Sequence, residues 1–394
     1  MPLCSEIFSR NNLFSLLYII TVVPTFWAGT STDSTLGTES LKNLISYISY
    51  VMLFITTLFG VINKIFVIDK YIIIGIFGIL SYWCFYYFSA INNVPLGLLN
   101  ISFLILFLVA SHEIKYKIYC YIKVLIIFTS ILGILFYLST AMMIDIGQTI
   151  YPYYSSETGT RLYIVLGPLN IFVEGLFIRL CGCFNEPGYW GTVLALVLTV
   201  EGYKFNRANI VLFIAGVCSW SLTFFLITAV NILHRYHNKI WRLSLVIITT
   251  VILMGVVLAD NPNMEHLMNR IAFDNQGNFV GNNRSNKDID KGFIDTLTSE
   301  YFLLGHGTGY AHTLTNLPFA TFKSLIIEYG FLGTTFMYSG VFILAVIESK
   351  KNYNALWLIC MFILSLCQRP IIFLSIYFII LYGGIQYILK KNII

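Results

Sequence analysis

The stretch IYCYIKVLIIFTSILGILFYLSTAMM, residues 118–143, decides the fold. It is apolar almost throughout. A helix rises about 1.5 Å per residue, so a run of this length can cross a hydrocarbon core of about 30 Å. Comparable runs recur at 12–29, 42–62, 71–89, 95–111, 189–203, 240–259, 320–347, 354–368 and 371–388. The chain has 394 residues, of which 57% are hydrophobic and 11% charged, with mean hydropathy +0.78. A soluble domain carries about 25% charged residues, so composition argues against a soluble enzyme. A membrane β-barrel would show alternating segments of about 10 residues instead. The expectation is an all-α, polytopic helical membrane protein. Arg10 precedes the first run and no small-residue cleavage site follows it, which reads as an uncleaved span rather than a signal peptide.

Two polar gaps, Ile144 to Gly188 and Asp260 to Phe319, interrupt the pattern. They divide the chain into N-terminal helices (1–143), a first long loop (144–188), central helices (189–259), a second long loop (260–319) and C-terminal helices (320–394). Arg10, Lys64, Lys70, Lys115, Lys117, Lys204, Arg207, Arg235, Lys239, Arg242, Lys350, Lys351, Lys390 and Lys391 fall on one side if the spans alternate. The positive-inside rule makes that side cytoplasmic, and both long loops then lie outside. Lys42 is the exception among short loops. Ile210 to Leu233 is one apolar run with basic flanks on both sides; it enters and returns if both flanks are cytoplasmic, or is one long span that violates the positive-inside rule, and the basic flanks favour the first. The sequence predicts a broken pair of short helices turning near Cys218-Ser219-Trp220-Ser221, and about twelve membrane helices in all. Backbone broken at membrane depth is tolerated where protein buries it or where it lines a wet cavity.

The net charge of +5 resides in short loops and fits topology control better than nucleic-acid binding. The eight cysteines show no metal spacing. Cys181 and Cys183 are too close in sequence to bridge easily and read as thiols.

The strongest local signal is RLCGCFNEPGYWG, Arg179 to Gly191. Arg179 offers a permanent cation with a planar donor fork suited to phosphate oxygens. Pro187 suits the first position of a helix. Gly188 and Gly191 leave that helix start open to close approach, and its N–H groups and dipole attract phosphate. Glu186 stands beside it as a base or hydrogen-bond acceptor. A capped helix start explains Asn185, Glu186 and Pro187 without any chemistry, but leaves Arg179 and the glycines unexplained.

Arg-x-x-Gly-x-Phe-x-Glu-Pro before a membrane helix resembles the motif of the O-antigen polymerases (Wzy) and related bacterial polysaccharide polymerases. LLGHGTGYAHTLTNLPFATFKSLIIEYGFLG, Leu303 to Gly333, is similar to their late pattern, and so is the basic-flanked helix pair around Ser219. The layout is similar throughout, and specific residues match in roughly 179–221 and 284–333. The resemblance implies a GT-C-like membrane glycosyltransferase of the bacterial inner membrane, with its active site facing the periplasm. It would join repeat units carried on undecaprenyl pyrophosphate, without a cofactor or metal, among membrane lipids and beside a chain-length regulator protein. Carried over, Arg179 and Arg284 bind pyrophosphate, with Arg270 the rival of Arg284. Glu186 and His312 are the catalytic candidates. His306 reads as a solvated or capping residue, and Lys323 as a snorkelling cation. The related ligases carry His-Asn where this chain has Phe319-Ala320, which favours polymerase over ligase.

Asp288-Ile289-Asp290 could hold a divalent metal as in nucleotide-sugar transferases, but its polar neighbours suggest a solvated charge run. Gly305, Gly307 and Gly309 read as a flexible turn. Glu201 and Glu328 lie near span ends and read as facing water, and Arg369 is a loop cation or a further phosphate contact. A flippase of lipid-linked sugars should carry charges at mid-membrane, whereas this chain concentrates them in the outer loops. A purely structural subunit would leave two arginine-bearing loops without a role.

Overall fold

The computed structural model describes residues 9–28, 39–87, 94–155, 159–174, 177–184, 186–236, 286–307, 309–315, 321–368 and 373–391. Of these, 76% are helical. The span expected at 240–259 lies outside the described residues.

The run that decides the fold lies in α5 (His112–Ala141), whose first turn carries Glu113 against the positive helix end. Before it come α1 (Arg10–Ala28), α2 (Glu39–Ile62), α3 (Lys70–Tyr87) and α4 (Val94–Val109). After the first polar gap follow α6 (Pro187–Glu201), α7 (Arg207–Cys218) and α8 (Leu222–Tyr236). The second gap contains α9 (Lys287–Leu297), a 3-10 turn (Glu300–Phe302) and α10 (Tyr310–Leu314). The chain then forms α11 (Phe322–Glu348), α12 (Tyr353–Gln368), α13 (Ser375–Phe378), a π-helical turn (Ile379–Gly383) and α14 (Gly384–Lys391). Among the described residues, two helices, α5 and α11, are long and apolar enough to cross a membrane.

The all-helical expectation fails in the first polar gap. Four antiparallel strands, β1 (Thr149–Ser155), β2 (Gly159–Leu166), β3 (Leu169–Glu174) and β4 (Phe177–Gly182), form a meander in the order β1-β2-β3-β4. The physical reason is legible afterwards. RLYIVL and LNIFVE are short runs of β-branched and aromatic residues, which favour strands. Gly167, at φ 56, joins β2 to β3 with Leu166 paired to Leu169. Tyr163 and Phe172 meet edge-on at 5.3 Å on one face, beside buried Cys181. A segment read by its average polarity looks like loop, but its ladder satisfies its own backbone.

The helices meet through small residues and buried ions. α3 crosses α11 where Gly78 faces Gly340, so tightly that a Cβ on Gly78 would stand 2.9 Å from the Gly340 Cα. The final segment runs through the core, with Phe378, Ile379, Ile380, Leu381 and Tyr382 all fully buried. Buried Lys115 Nζ lies 2.6 Å from Glu348 Oε1, and Gln386 Nε2 donates to the other carboxylate oxygen at 2.9 Å. Lys123 Nζ lies 2.9 Å from buried Glu201, which also accepts from Tyr387 Oη at 3.3 Å and contacts Lys391 at 3.5 Å. Glu201 therefore does not face water, contrary to expectation, because three partners enclose it.

These pairs fix which helix ends meet. The first part of α5 joins the last residues of α6, α11 and α14. The end of α5 and the starts of α6 and α11 consequently lie at the opposite end, where the sheet and the second polar segment attach. The outward faces are apolar. On α2, Tyr47, Phe54 and Ile62 are 70%, 69% and 69% exposed, with Ile48, Val51, Leu58 and Val61 along the same helix also outward.

Removing one member of a buried pair strands the other charge, at a cost of about 3–5 kcal/mol. Lys115→Met should lower the unfolding temperature of the purified protein sharply. The double substitution Lys115→Met with Glu348→Met should recover most of that loss. Equal stability of the single variant and the parent would show that the pair does not hold these ends together.

Candidate functional site

Three elements converge at the start of α6, and the motif RLCGCFNEPGYWG supplies the join. β4 carries Arg179 outward from its pairing with Phe172. The strand then ends at Gly182 in the left-handed region, φ 60, with the Trp190 indole against it. A Cβ there would stand 2.5 Å from Trp190 Cδ2, so the motif glycine is required twice, by conformation and by contact. Asn170 Nδ2 donates to the Phe184 carbonyl at 3.1 Å, tying the following turn to β3. Glu186 then occupies the N-cap in extended conformation, φ −128 and ψ 132, with Pro187 in the first turn as expected. The Glu186 carbonyl accepts from Tyr189 N at 3.1 Å, while its half-buried side chain makes no capping bond.

The third element is the broken helix pair. α7 ends at Cys218 and α8 begins at Leu222, so the break falls at the residues expected for the broken pair. Trp220 takes φ 49 in the turn, and Ser219 Oγ donates to the Gly216 carbonyl at 2.6 Å. This turn packs onto α6. A Cβ on Gly191 would meet Ser221 Cβ at 2.4 Å and Ser219 Oγ at 2.7 Å. The close approach that the glycine permits is therefore made by the protein's own turn.

Arg179 locks the junction. Its Nε donates to the Ser219 carbonyl at 3.3 Å and its Nη2 to the Trp220 carbonyl at 3.2 Å. Those carbonyls belong to the C-terminal end of α7, where a cation is favoured by the helix dipole. The guanidinium is thus a fixed positive group next to the positive N-terminus of α6, with the Glu186 carboxylate at the same helix start. Both side chains act electrostatically on the buried Cys181 thiol, Arg179 lowering and Glu186 raising its pKa, and burial pushes it up more strongly than either. Burial pushes the Cys183 thiol up to about 12. Neither cysteine is a nucleophile at neutral pH, because only the thiolate attacks.

A second cluster forms at a break in α11. Gly330 leaves helical conformation, φ 64 and ψ −177, and opens the carbonyls before it. Ile327 O accepts from His306 N and Glu328 O from Gly307 N, both at 2.9 Å, while Leu332 N donates to Leu303 O at 3.1 Å. The glycine turn expected to be flexible is therefore zipped to the helix, with Gly305, Gly307 and Gly309 at φ 72, 94 and 82. His306 is not a solvated loop residue. Its ring is stacked between Tyr301 at 4.1 Å and Tyr310 at 4.2 Å. His312 is exposed on α10, near enough to interact electrostatically with the Glu328 carboxylate. Half-buried Glu328 accepts from Gly309 N at 3.1 Å and so does not simply face water. Sequence reasoning passed over Glu328, although a glycine two residues after a carboxylate in an apolar span signals such a break.

Lys323 does not snorkel but pairs with Asp290 at 2.7 Å. Asp288 and Asp290 lie not in a loop but in the first turn of α9, capped by Asn286 accepting from Ile289 N at 2.9 Å, where acidic residues complement the helix dipole. Among the described residues, no group of three His, Cys, Asp or Glu side chains could hold a metal. Arg284, Arg270 and Arg369 lie outside the described residues, so Arg179 and Glu186 form one described centre and His312 with Glu328 another.

Because burial holds both motif thiols protonated, Cys181 and Cys183 should resist maleimide at pH 8 in the folded protein and react after denaturation. Mass spectrometry of the labelled peptides checks this, and rapid labelling of either thiol in the native state would contradict the packing described. No family model matches the chain, and no curated protein or solved structure is found to be similar to it.

Proposed function

We propose that the chain is an O-antigen polymerase, a membrane glycosyltransferase that joins undecaprenyl-pyrophosphate-linked oligosaccharide repeat units at the periplasmic face of a bacterial inner membrane. The carrying observation is the Arg179 guanidinium, fixed at the mouth of α6 by the turn of the broken pair. The motif resemblance supplies the substrate class. The bilayer setting is supported by α5 and α11, by shorter apolar helices such as Tyr47–Ile62 and Tyr353–Leu366, and by the outward apolar stripe on α2. A contiguous apolar exterior of this kind is unfavourable in water. Its positively charged segments at Lys64–Lys70, Lys204–Arg207 and Lys350–Lys351 mark the cytoplasmic side on this reading.

In the proposed reaction the acceptor sugar's hydroxyl oxygen attacks the donor's anomeric carbon. The bond from that carbon to the pyrophosphate oxygen breaks, and the pyrophosphate keeps the electron pair. The hydroxyl proton passes to a base. Arg179 and the α6 N-terminus stabilise the departing charge, and Arg284, or Arg270 in its place, completes the cationic clamp. Glu186, half-buried at the same helix start, is the first candidate base, and His312 the second. The arrangement asks for no metal, since permanent cations meet the developing negative charge.

Losing one preorganised donor to developing charge costs roughly 100- to 1,000-fold in rate. Arg179→Ala should abolish long-chain polysaccharide while the protein remains in the membrane, and Arg179→Lys should restore part of it. Gel analysis of surface polysaccharide with a parallel membrane blot reads both. Normal chain lengths in Arg179→Ala would remove the assignment. Complete loss of even single repeat units from the surface would point to transport instead of polymerisation.

A further inference from the structure

The end of α6 remote from Arg179 carries a second, differently built site. α6 has 15 residues, so this end lies about 22 Å away. The helix stops at Gly202, a left-handed cap with φ 67. The Arg235 guanidinium lies over it, so near that a Cβ on Gly202 would be 3.0 Å from Nη1. Beyond the cap opens a pocket of about 470 Å³, lined among others by Glu201, Lys204, His234, Arg235 and Lys391. Its wall is rigid. Trp357 Nε1 donates to Asn231 Oδ1 at 2.9 Å, Asn231 Nδ2 donates to Thr199 Oγ1 at 3.1 Å, and His234 stacks on Trp357 at 3.8 Å. Lys204, Arg235 and Lys391 bring three basic side chains to it. Among the described residues the one carboxylate lining it is Glu201, which Lys123 and Lys391 both contact. The pocket is therefore electropositive.

Tyr203 and Lys204 also line a neighbouring groove of about 510 Å³. The groove is apolar, walled by Leu198, Phe205, Ile210, Phe213 and Ile232. Phe205 stands 88% exposed at its edge, directly after Lys204. A cationic pocket opening into an apolar groove across one shared lysine matches a phosphate on a hydrocarbon chain. Neither half alone selects that ligand. The pocket would accept any small anion and the groove any apolar chain.

We propose that this is a binding site for an anionic phospholipid, its phosphate among Lys204, Arg235 and Lys391 and one acyl chain along Ile210 and Phe213. The site requires that the helices lie in a bilayer, and does not require that the chain polymerises sugars. Basic side chains near a charged leaflet are drawn to its anionic headgroups. The bound lipid would fasten α8 and α14 to the end of α6, where Glu201 already contacts Lys391 of α14.

The test uses the full chain purified in neutral detergent, with thermal unfolding and native mass spectrometry as readouts. Phosphatidylglycerol should raise the unfolding temperature and remain bound, whereas phosphatidylcholine with the same acyl chains and inorganic phosphate alone should do neither. The double substitution Lys204→Gln with Arg235→Gln should weaken phosphatidylglycerol binding at least tenfold, and so should Phe205→Ser. Arg179→Ala should leave it unchanged, which separates this site from the proposed catalytic one. Equal retention of the two lipids, full protection by inorganic phosphate, or undiminished binding in the double variant would each overturn the proposal. If the double variant unfolds without lipid, the exposed Phe205→Ser decides in its place.

Discussion

Two hydrogen bonds from the Arg179 guanidinium to the carbonyls of Ser219 and Trp220 hold the working end of the molecule together. A helix that breaks inside an apolar run leaves carbonyls that lipid cannot satisfy. A planar cation answers that need, and it arrives on a β-strand rather than from a neighbouring helix. The sheet, the start of α6 and the broken pair consequently share one point. A residue that serves the fold in this way is also held still, as preorganised charge stabilisation requires. The structural role of Arg179 is thus compatible with the chemical role proposed for it, and an arginine is better suited to both than a lysine.

The opposite end depends on a different constraint. Lys115 with Glu348 is a buried ion pair, and half-buried Lys123 meets buried Glu201; such ions are costly to desolvate and harmful if unpaired. They specify which helix ends may meet. The sequence view that charges belong to loops is therefore incomplete, since a second set lies within the helical bundle. Its position near the starts of α5 and the ends of α6 and α11 suits anchoring the bundle better than a mid-membrane path for cargo.

The helices were readable because a long apolar run has few alternatives. The break at 219–221 was readable from its basic flanks, which favour a returning pair over one long span that breaks the positive-inside rule. The meander at 149–182 was not, because average polarity hid short runs of β-branched and aromatic residues and a turn at Gly167. In the motif, Pro187 could be placed by helix-start chemistry alone. Gly182 could not, because its partner, Trp190, lies eight positions on and meets it only after the chain reverses. Glu201 and Glu328 were assigned to water since sequence shows distance from a span end but not the partner waiting there. Of the five site residues expected, Arg179 and Glu186 come to one helix start and His312 joins Glu328 instead, while Arg284 and Arg270 fall outside the described residues.

The proposed function requires that Arg179 hold a diphosphate lipid at the mouth of α6. This is tested most directly by measuring undecaprenyl pyrophosphate affinity of the purified protein and of its Arg179→Ala variant, at matched stability. At least a tenfold loss in the variant is predicted, with little change for a neutral polyprenol of the same length. Equal affinity of the two proteins for the diphosphate would contradict it.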